Sequence, residues 1–262
     1  MKKTSKSILV FVSLFLILYL LNISTMIQYF LDYSFLFLTK FVPSSFPFLL
    51  FSSLLIQYGI TDILPGKSAF STVFLLSLIS GFPSGAIYTR DLLEENVITK
   101  EEGNKILFYS HFPNPLFVLG SVRLVLNEVL SRQILLTIFL SNFLIFLFFR
   151  KRNRNIYYRK NINNCFSKIL SNSIFSTSKT ILLVYGTSLF FYLFFAILTK
   201  YIVLPSYLFV FLAGLFDLTN GVFSSSIISS LVIRAYFILF FISFGGISIH
   251  MQIKGILEDT PL

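Results

Sequence analysis

The chain predicts an all-α, polytopic integral membrane fold of about six spanning helices plus two re-entrant, broken-helix hairpins arranged as an inverted repeat. Three observations carry that expectation. Of 262 residues, 55% are hydrophobic and only 12% charged, and the mean hydropathy is +0.83, far from the range of water-soluble domains. Several apolar stretches approach the ~20 residues that a bilayer-spanning helix needs. Two further stretches are interrupted, at SGFPSG (residues 80–85) and at DLTNG (residues 217–221). Lipid offers no partner to backbone groups freed by such a break, so irregular backbone at membrane depth is buried in protein or lines a wet cavity.

The elements follow in order. Lys2, Lys3 and Lys6 precede the apolar run Ile8–Leu21, which resembles a signal sequence. No small-x-small cleavage site follows, and apolar residues continue to Leu31, so an uncleaved first helix is expected. The expected spans are residues 8–31, 34–58, 104–122, 133–149, 179–200 and 234–251. The net charge of +10 is local, concentrated in those lysines and in Arg150, Lys151, Arg152, Arg154, Arg159 and Lys160. The second cluster joins two long apolar regions, where the positive-inside rule explains it without a nucleic-acid partner.

Parity then decides the hairpin. With a cytoplasmic N-terminus, the first span exits, the second returns, and Asp62–Lys67 lies inside. If the SGFPSG stretch crossed fully, the basic loop 150–160 would lie outside, against the charge rule; if it re-enters and returns, the loop lies inside. The same count puts Tyr201–Pro205 outside, makes the DLTNG stretch dip from the opposite face, and leaves the C-terminus with Lys254 inside. Spacing gives further support, since ILP at 63–65 and VLP at 203–205 each end on a proline sixteen residues before a glycine, Pro65 before Gly81 and Pro205 before Gly221. Such an arm would reach about 24 Å. The expected organisation is one membrane domain over 1–262, with repeat 1 at about 34–130, a basic cytoplasmic linker at 150–168, and repeat 2 at about 175–258.

The breaks hold the candidate site residues. Ser80, Gly81, Pro83, Ser84 and Gly85 form the first: glycine permits backbone geometry that other residues resist, and Pro83 lacks a donor and stops the incoming helix. Ser84 could cap a second half-helix running through Tyr88, Arg90 and Leu93, its first amides free to face an anion. A packing kink is the plainer alternative. Beyond it, Thr99 and Glu102 form a capping box in a charged turn. HFPNP at 111–115 is another break, with His111 and Asn114 as polar contacts. In the second half, Asp217, Thr219 and Asn220 surround Gly221. An intramembrane carboxylate is a functional candidate, and Asp217 could bind a coupling proton or sodium ion or could instead receive a hydrogen bond where a helix ends. Gly245 and Gly246 break the last stretch, followed by His250 and Gln252.

Other chemistry finds little footing. The lone Cys165 excludes an internal disulfide and a cysteine-based metal site. PGKS at 65–68 ends like a phosphate-binding loop, but Thr61 stands where the first glycine is required. GFPSG resembles a nucleophile elbow with Pro83 where serine is needed. No catalytic residue, cofactor or metal is expected.

Taken in order, ILPGKSAF, SGFPSGA, DLLEENVITKEEGNKIL, HFPNPLFVLGSV, GLFDLTNG and SFGGISIHMQ resemble the YlbJ family of sporulation integral membrane proteins, within the broader nucleoside-recognition or gate superfamily. The strings cover about residues 60–125 and 205–258. HFPNP stands where the family is richer in asparagine. The resemblance implies a sporulation membrane protein similar to one thought to carry dipicolinic acid from mother cell to forespore. Its family-like positions here are Gly81, Pro83, Gly85, Asn114, Pro115, Asn220, Gly221, Gly245, Gly246, His250 and Gln252. The leading expectation is a transporter of a small carboxylate in a bacterial cell membrane, such as the outer forespore membrane, with both termini cytoplasmic. The alternatives are a non-transporting scaffold or subunit, as a homo-oligomer or with a partner membrane protein, and an intramembrane serine protease using Ser84.

Overall fold

The computed structural model describes residues 3–58, 69–94, 96–149 and 165–258. Lys2, Thr61, the ILP and PGKS strings with Pro65, and the basic run 150–160 lie outside the described residues. Among those described, the regular elements are all helical, and four helices are long and apolar enough to cross a membrane: Ile23–Gln57, Glu128–Phe149, Phe166–Tyr201 and Leu231–Leu257.

The first two expected spans are redrawn. Helix α1 (Lys3–Leu21) ends at Asn22, and α2 (Ile23–Leu36) continues through a π turn (Phe37–Phe41) into α3 (Val42–Gln57). The expected boundary lies between residues 31 and 34. Instead Gln28 Nε2 donates to Asp32 Oδ1 at 2.9 Å, one turn apart on the helix surface, so Asp32 needs no break. Pro43 follows the π turn, where Val42 N–H donates to the Phe37 carbonyl and absorbs the irregularity without ending the helix. The break falls at Asn22 because its side-chain amide donates to the Leu18 carbonyl and to the Tyr201 hydroxyl, at 2.8 and 2.7 Å.

The long helix α9 (Phe166–Tyr201) fixes the two ends of the bundle. Phe11 meets Phe194 and Asn22 meets Tyr201, so α1 runs alongside α9 in the same direction. Tyr33 then meets Tyr192, Phe37 meets Tyr185, and Gln57 donates to Ser173 at 2.6 Å, so α2 and α3 return antiparallel. The Asn22 and Tyr201 end is called upper here, and the Gln57 and Phe166 end lower.

Helices α4 (Ala69–Ser80) and α5 (Ser84–Glu94) form a hairpin that rises from the lower end, turns at Gly81, and returns. Gly81 has φ +72°, and the Phe82–Pro83 peptide bond is cis. The capping box forms as expected: Thr99 starts α6 (Lys100–Tyr109), with its hydroxyl accepting from Glu102 N–H and the Glu102 carboxylate accepting from Thr99 N–H. The expected span 104–122 is not continuous. Residues 111–114 are non-helical, after which the chain re-forms as a π turn (Phe117–Val122) and α7 (Arg123–Val125). The two prolines of HFPNP remove the donors that would carry an α-helix through. Helix α8 (Glu128–Phe149) descends; Asn142 Nδ2 donates to the His111 carbonyl at 3.2 Å and Phe146 stacks on Phe74 with centroids 4.5 Å apart.

The second half enters from the other end. Helix α10 (Ser206–Phe216) descends from the upper end, the chain turns at Asp217, and α11 (Leu218–Ser224) turns back. Helix α12 (Leu231–Phe244) then descends beside α10, with Tyr207 against Phe237 and Phe211 against Phe240. Arg234 ties its upper end by donating to the carbonyls of Val125, Ser226 and Ile228. Gly245, at φ +87°, closes α12 in the left-handed conformation, and α13 (Gly246–Leu257) continues to the lower end. The second arm, α10, has 11 residues because its break falls at Asp217 rather than Gly221, and α4 is described over 12 residues, its expected start at Pro65 lying outside the described residues. At 1.5 Å per residue each reaches about 17 Å, slightly more than half of a ~30 Å hydrocarbon core, so tips entering from opposite ends meet in the middle.

Candidate site between two opposed hairpins

Glycines allow each hairpin to seat on the broken helix that follows it. A Cβ on Gly81 would overlap the Asn114 backbone, and one on Gly85 would lie 2.6 Å from Ser110 Oγ, so the first tip rests on the HFPNP break. In the second half the relation is reversed: the glycine is on the broken helix. A Cβ on Gly246 would lie 3.1 Å from the Leu218 amide nitrogen and 3.2 Å from the Gly214 carbonyl oxygen of the hairpin. The two breaks also meet each other, since a Cβ on Gly245 would come within 2.8 Å of His111 Nε2.

Where the tips face each other they enclose a cavity of about 30 Å³, lined by Phe82 from the first tip and Asp217, Leu218 and Thr219 from the second. The broken helices contribute Asn114, Phe117, Ile249 and Gln252, and the long helices contribute Phe41, Ser45, Val184 and Ser188. Asp217 is the N-cap of α11: its Oδ2 accepts from Asn220 N–H at 2.9 Å while its Oδ1 accepts from Ser248 Oγ at 2.9 Å. Among the described residues no lysine or arginine pairs with it. Gln252 Nε2 lies 3.5 Å from Ser188 Oγ, its Oε1 has no partner among the described residues, and the Ser45 hydroxyl is likewise unpartnered. The Tyr33 hydroxyl lies beside Asp217 and Ser188 without completing a hydrogen bond.

A second cavity, of about 290 Å³, opens lower down between α3, α5 and α9. Its polar lining includes Ser53, Gln57, Ser84, Tyr88, Asp91 and Asn172. Ser80, Ser84 and Tyr88 share a chain of hydroxyl contacts at its inner limit. This vestibule approaches the size of small-molecule pockets, whereas the central cavity does not.

The predicted site residues therefore separate. Asn114, Asp217, Thr219 and Gln252 share the central cavity, and Ser80 and Ser84 sit toward the vestibule. His111 and His250, 6.3 Å apart between ring centroids, line a third cavity of about 760 Å³ between α6, α8, α12 and α13. Gly221 is a packing position, since its Cβ would overlap the Gly214 Cα, and the second break falls at Asp217, four residues earlier. Asn220 uses its Oδ1 to accept from Ser224 Oγ. Asn114 is tied structurally, its Nδ2 donating to the Ser44 carbonyl and its Oδ1 accepting from Leu116 N–H.

Ser84 does not cap α5 in the expected way. Its hydroxyl donates to the Gly81 carbonyl at 2.5 Å and contacts Ser80 Oγ, while the amides of Ser84 and Ala86 donate to the carbonyls of Gly81 and Pro83. The turn takes up the Ser84 and Ala86 amides expected to face an anion, and Phe82 rather than Ser84 reaches the central cavity. Sequence reasoning missed Ser45, Ser188 and Ser248. Their signal is helical periodicity, with Ser173, Thr177, Thr180 and Ser188 forming one buried stripe on α9 and Ser45 and Ser52 another on α3.

The fold and site define a class: a polytopic all-α membrane protein whose two broken-helix hairpins enter from opposite ends and converge on a buried polar centre. No family model matches the chain, so the broader superfamily gains no support of its own, and no solved structure matches it. The chain is similar to the sporulation integral membrane protein YlbJ of Bacillus subtilis (strain 168), at 27% identity over an alignment 281 positions long that covers 84% of this chain and 67% of that protein. That similarity supports membership of the YlbJ family and the reading of this chain as a sporulation-associated integral membrane protein.

Proposed function

We propose that the protein is a transporter that moves a small carboxylate, dipicolinic acid, across a bacterial membrane by alternating access. The observation that carries the reading is the meeting of two opposed hairpin tips and two broken helices around one buried polar cavity. A non-transporting scaffold has no need to keep unpartnered polar groups at that depth, where each costs several kcal/mol. Long helix, hairpin and broken helix occur in that order in each half and with opposite sense, which supports the inverted-repeat organisation and gives the two halves a way to exchange roles as the site opens to one side and then the other.

The lower end is the cytoplasmic face in this reading, because the chain leaves α8 there into its most basic segment. Lys6 near the start of α1 and the C-terminal end of α13 fall on the same side. The vestibule then opens to the cytoplasm, so dipicolinate enters beside Ser53, Gln57, Tyr88 and Asn172, whose side chains can donate to carboxylate oxygens. The hydrogen bonds of the Ser84 hydroxyl to Ser80 and Gly81 support a structural role for it in this reading rather than a nucleophilic one. The sporulation role of the relative supports the choice of dipicolinate. Purified protein in proteoliposomes is expected to move labelled dipicolinate saturably; movement no faster than in protein-free vesicles, whatever ion gradient is imposed, would remove the proposal.

A further inference from the structure

We infer that the central cavity is a binding site for one monovalent cation, held by the Asp217 carboxylate together with the neutral oxygens of Gln252, Ser45, Ser188 and Thr219. The inference rests on the transport reading for its purpose and on the geometry of the cavity for its chemistry. Asp217 is 1% exposed, and both of its oxygens already accept a hydrogen bond, from Asn220 N–H and from Ser248 Oγ. A carboxylate buried in this way is strongly unfavourable without a compensating charge, and no basic side chain pairs with it among the described residues.

The surrounding atoms say what supplies that charge. Gln252, 1% exposed, has an unpartnered Oε1, and Ser45, 3% exposed, has an unpartnered hydroxyl; both residues line the same cavity. A single proton on Asp217 cannot satisfy oxygens on α3 and α13 together, whereas one hard cation coordinates several oxygens at once. A volume of about 30 Å³ accommodates one water-sized occupant and excludes the organic substrate. Only one lining residue is a carboxylate, which matches a single positive charge; divalent sites recruit more carboxylate. The ligands come from the second hairpin tip, the second broken helix and the long helices, so cation binding holds the second tip against the helices around it. It also cancels the negative charge that would otherwise repel an approaching carboxylate.

The test is the thermal unfolding midpoint of the purified protein in detergent, titrated with sodium, lithium or potassium chloride against choline chloride at fixed ionic strength. A saturable rise with at least one alkali cation is expected, because a ligand that binds only the folded state stabilises it. Asp217→Asn retains a good N-cap and removes the uncompensated charge, so its midpoint in choline should equal or exceed that of the parent while its response to the alkali cation disappears. Ser248→Ala, which removes a hydrogen bond to Asp217 Oδ1, should weaken the cation response roughly 10- to 100-fold. Identical midpoints in all four salts, or a midpoint set by pH alone, would overturn the cation site, as would an unchanged response in Ser248→Ala. Dipicolinate uptake that persists without any alkali cation would leave the transport reading standing while this one falls; cation binding without dipicolinate movement would do the reverse.

Discussion

Replacing Gly221 with alanine separates packing from ligand binding at the second hairpin. The new Cβ would overlap the Gly214 Cα, lie 2.8 Å from the Gly214 nitrogen and approach the Phe241 ring at 3.0 Å. Overpacking costs about 1–3 kcal/mol, and a collision with backbone belongs at the upper end because no side-chain rotation relieves it. Removing glycine from a helix returns about 1 kcal/mol, so the net loss is about 2 kcal/mol. For a chain of this size that corresponds to a fall of roughly 4–8 °C in the unfolding midpoint. Gly186→Ala is the control: nothing lies within 4 Å of its Cβ position, so the same substitution in α9 should leave the midpoint unchanged or raise it by about 2–4 °C. Both are read by thermal unfolding of purified protein in one detergent. A Gly221→Ala midpoint at or above the parent value, with uptake impaired, would refute the packing role and return Gly221 to the binding site.

Three further outcomes follow from the geometry. Ser84→Ala should cost about 1 kcal/mol for its lost bond to the Gly81 carbonyl, raise the apparent KM for dipicolinate without abolishing uptake, and leave the protein unlabelled by serine-reactive probes; complete loss of uptake in a folded variant would contradict its placement at the edge of the vestibule. Thr99→Ala removes half of the capping box at the start of α6 and should lower stability by about 1 kcal/mol with uptake retained, measured by unfolding and flux on the same preparation. In a Cys165→Ser background, Ser176→Cys should react with a membrane-impermeant thiol reagent applied from the cytoplasmic face, because Ser176 lines the vestibule; reaction only from the opposite face would reverse the orientation.

Much of the architecture was legible because proline and glycine interrupt hydrophobic runs conspicuously. SGFPSG, HFPNP and the Gly245–Gly246 pair each mark a real break, and the chain turns back at the first of them, between α4 and α5, as the charge of the segment after α8 led one to expect. The position of a break was harder to read than its existence. DLTNG turns at Asp217 because the aspartate can cap the next helix with its own side chain, whereas Gly221 is needed four residues later for close contact with Gly214. Asn22 was missed because its role depends on Tyr201, 179 residues away. The serines of α3 and α9 were missed for a related reason: single hydroxyls scarcely alter the hydropathy of a long apolar helix, and their common stripe acquires meaning only when the two helices are known to pack together. At the SGFPSG turn the expected anion-facing amides are satisfied by neighbouring carbonyls, a local hydrogen-bonding choice that composition does not reveal.

Alternating access is the central claim, and Ser188 is the position that reports it most directly because it lines the central cavity between the two hairpin tips. A single cysteine there, in the Cys165→Ser background and in vesicles of known orientation, can be challenged with an impermeant thiol reagent from each face in turn, with and without dipicolinate. Alternating access requires labelling from both faces, with dipicolinate shifting the balance between them. Labelling from one face only, unmoved by substrate or ions, would contradict it.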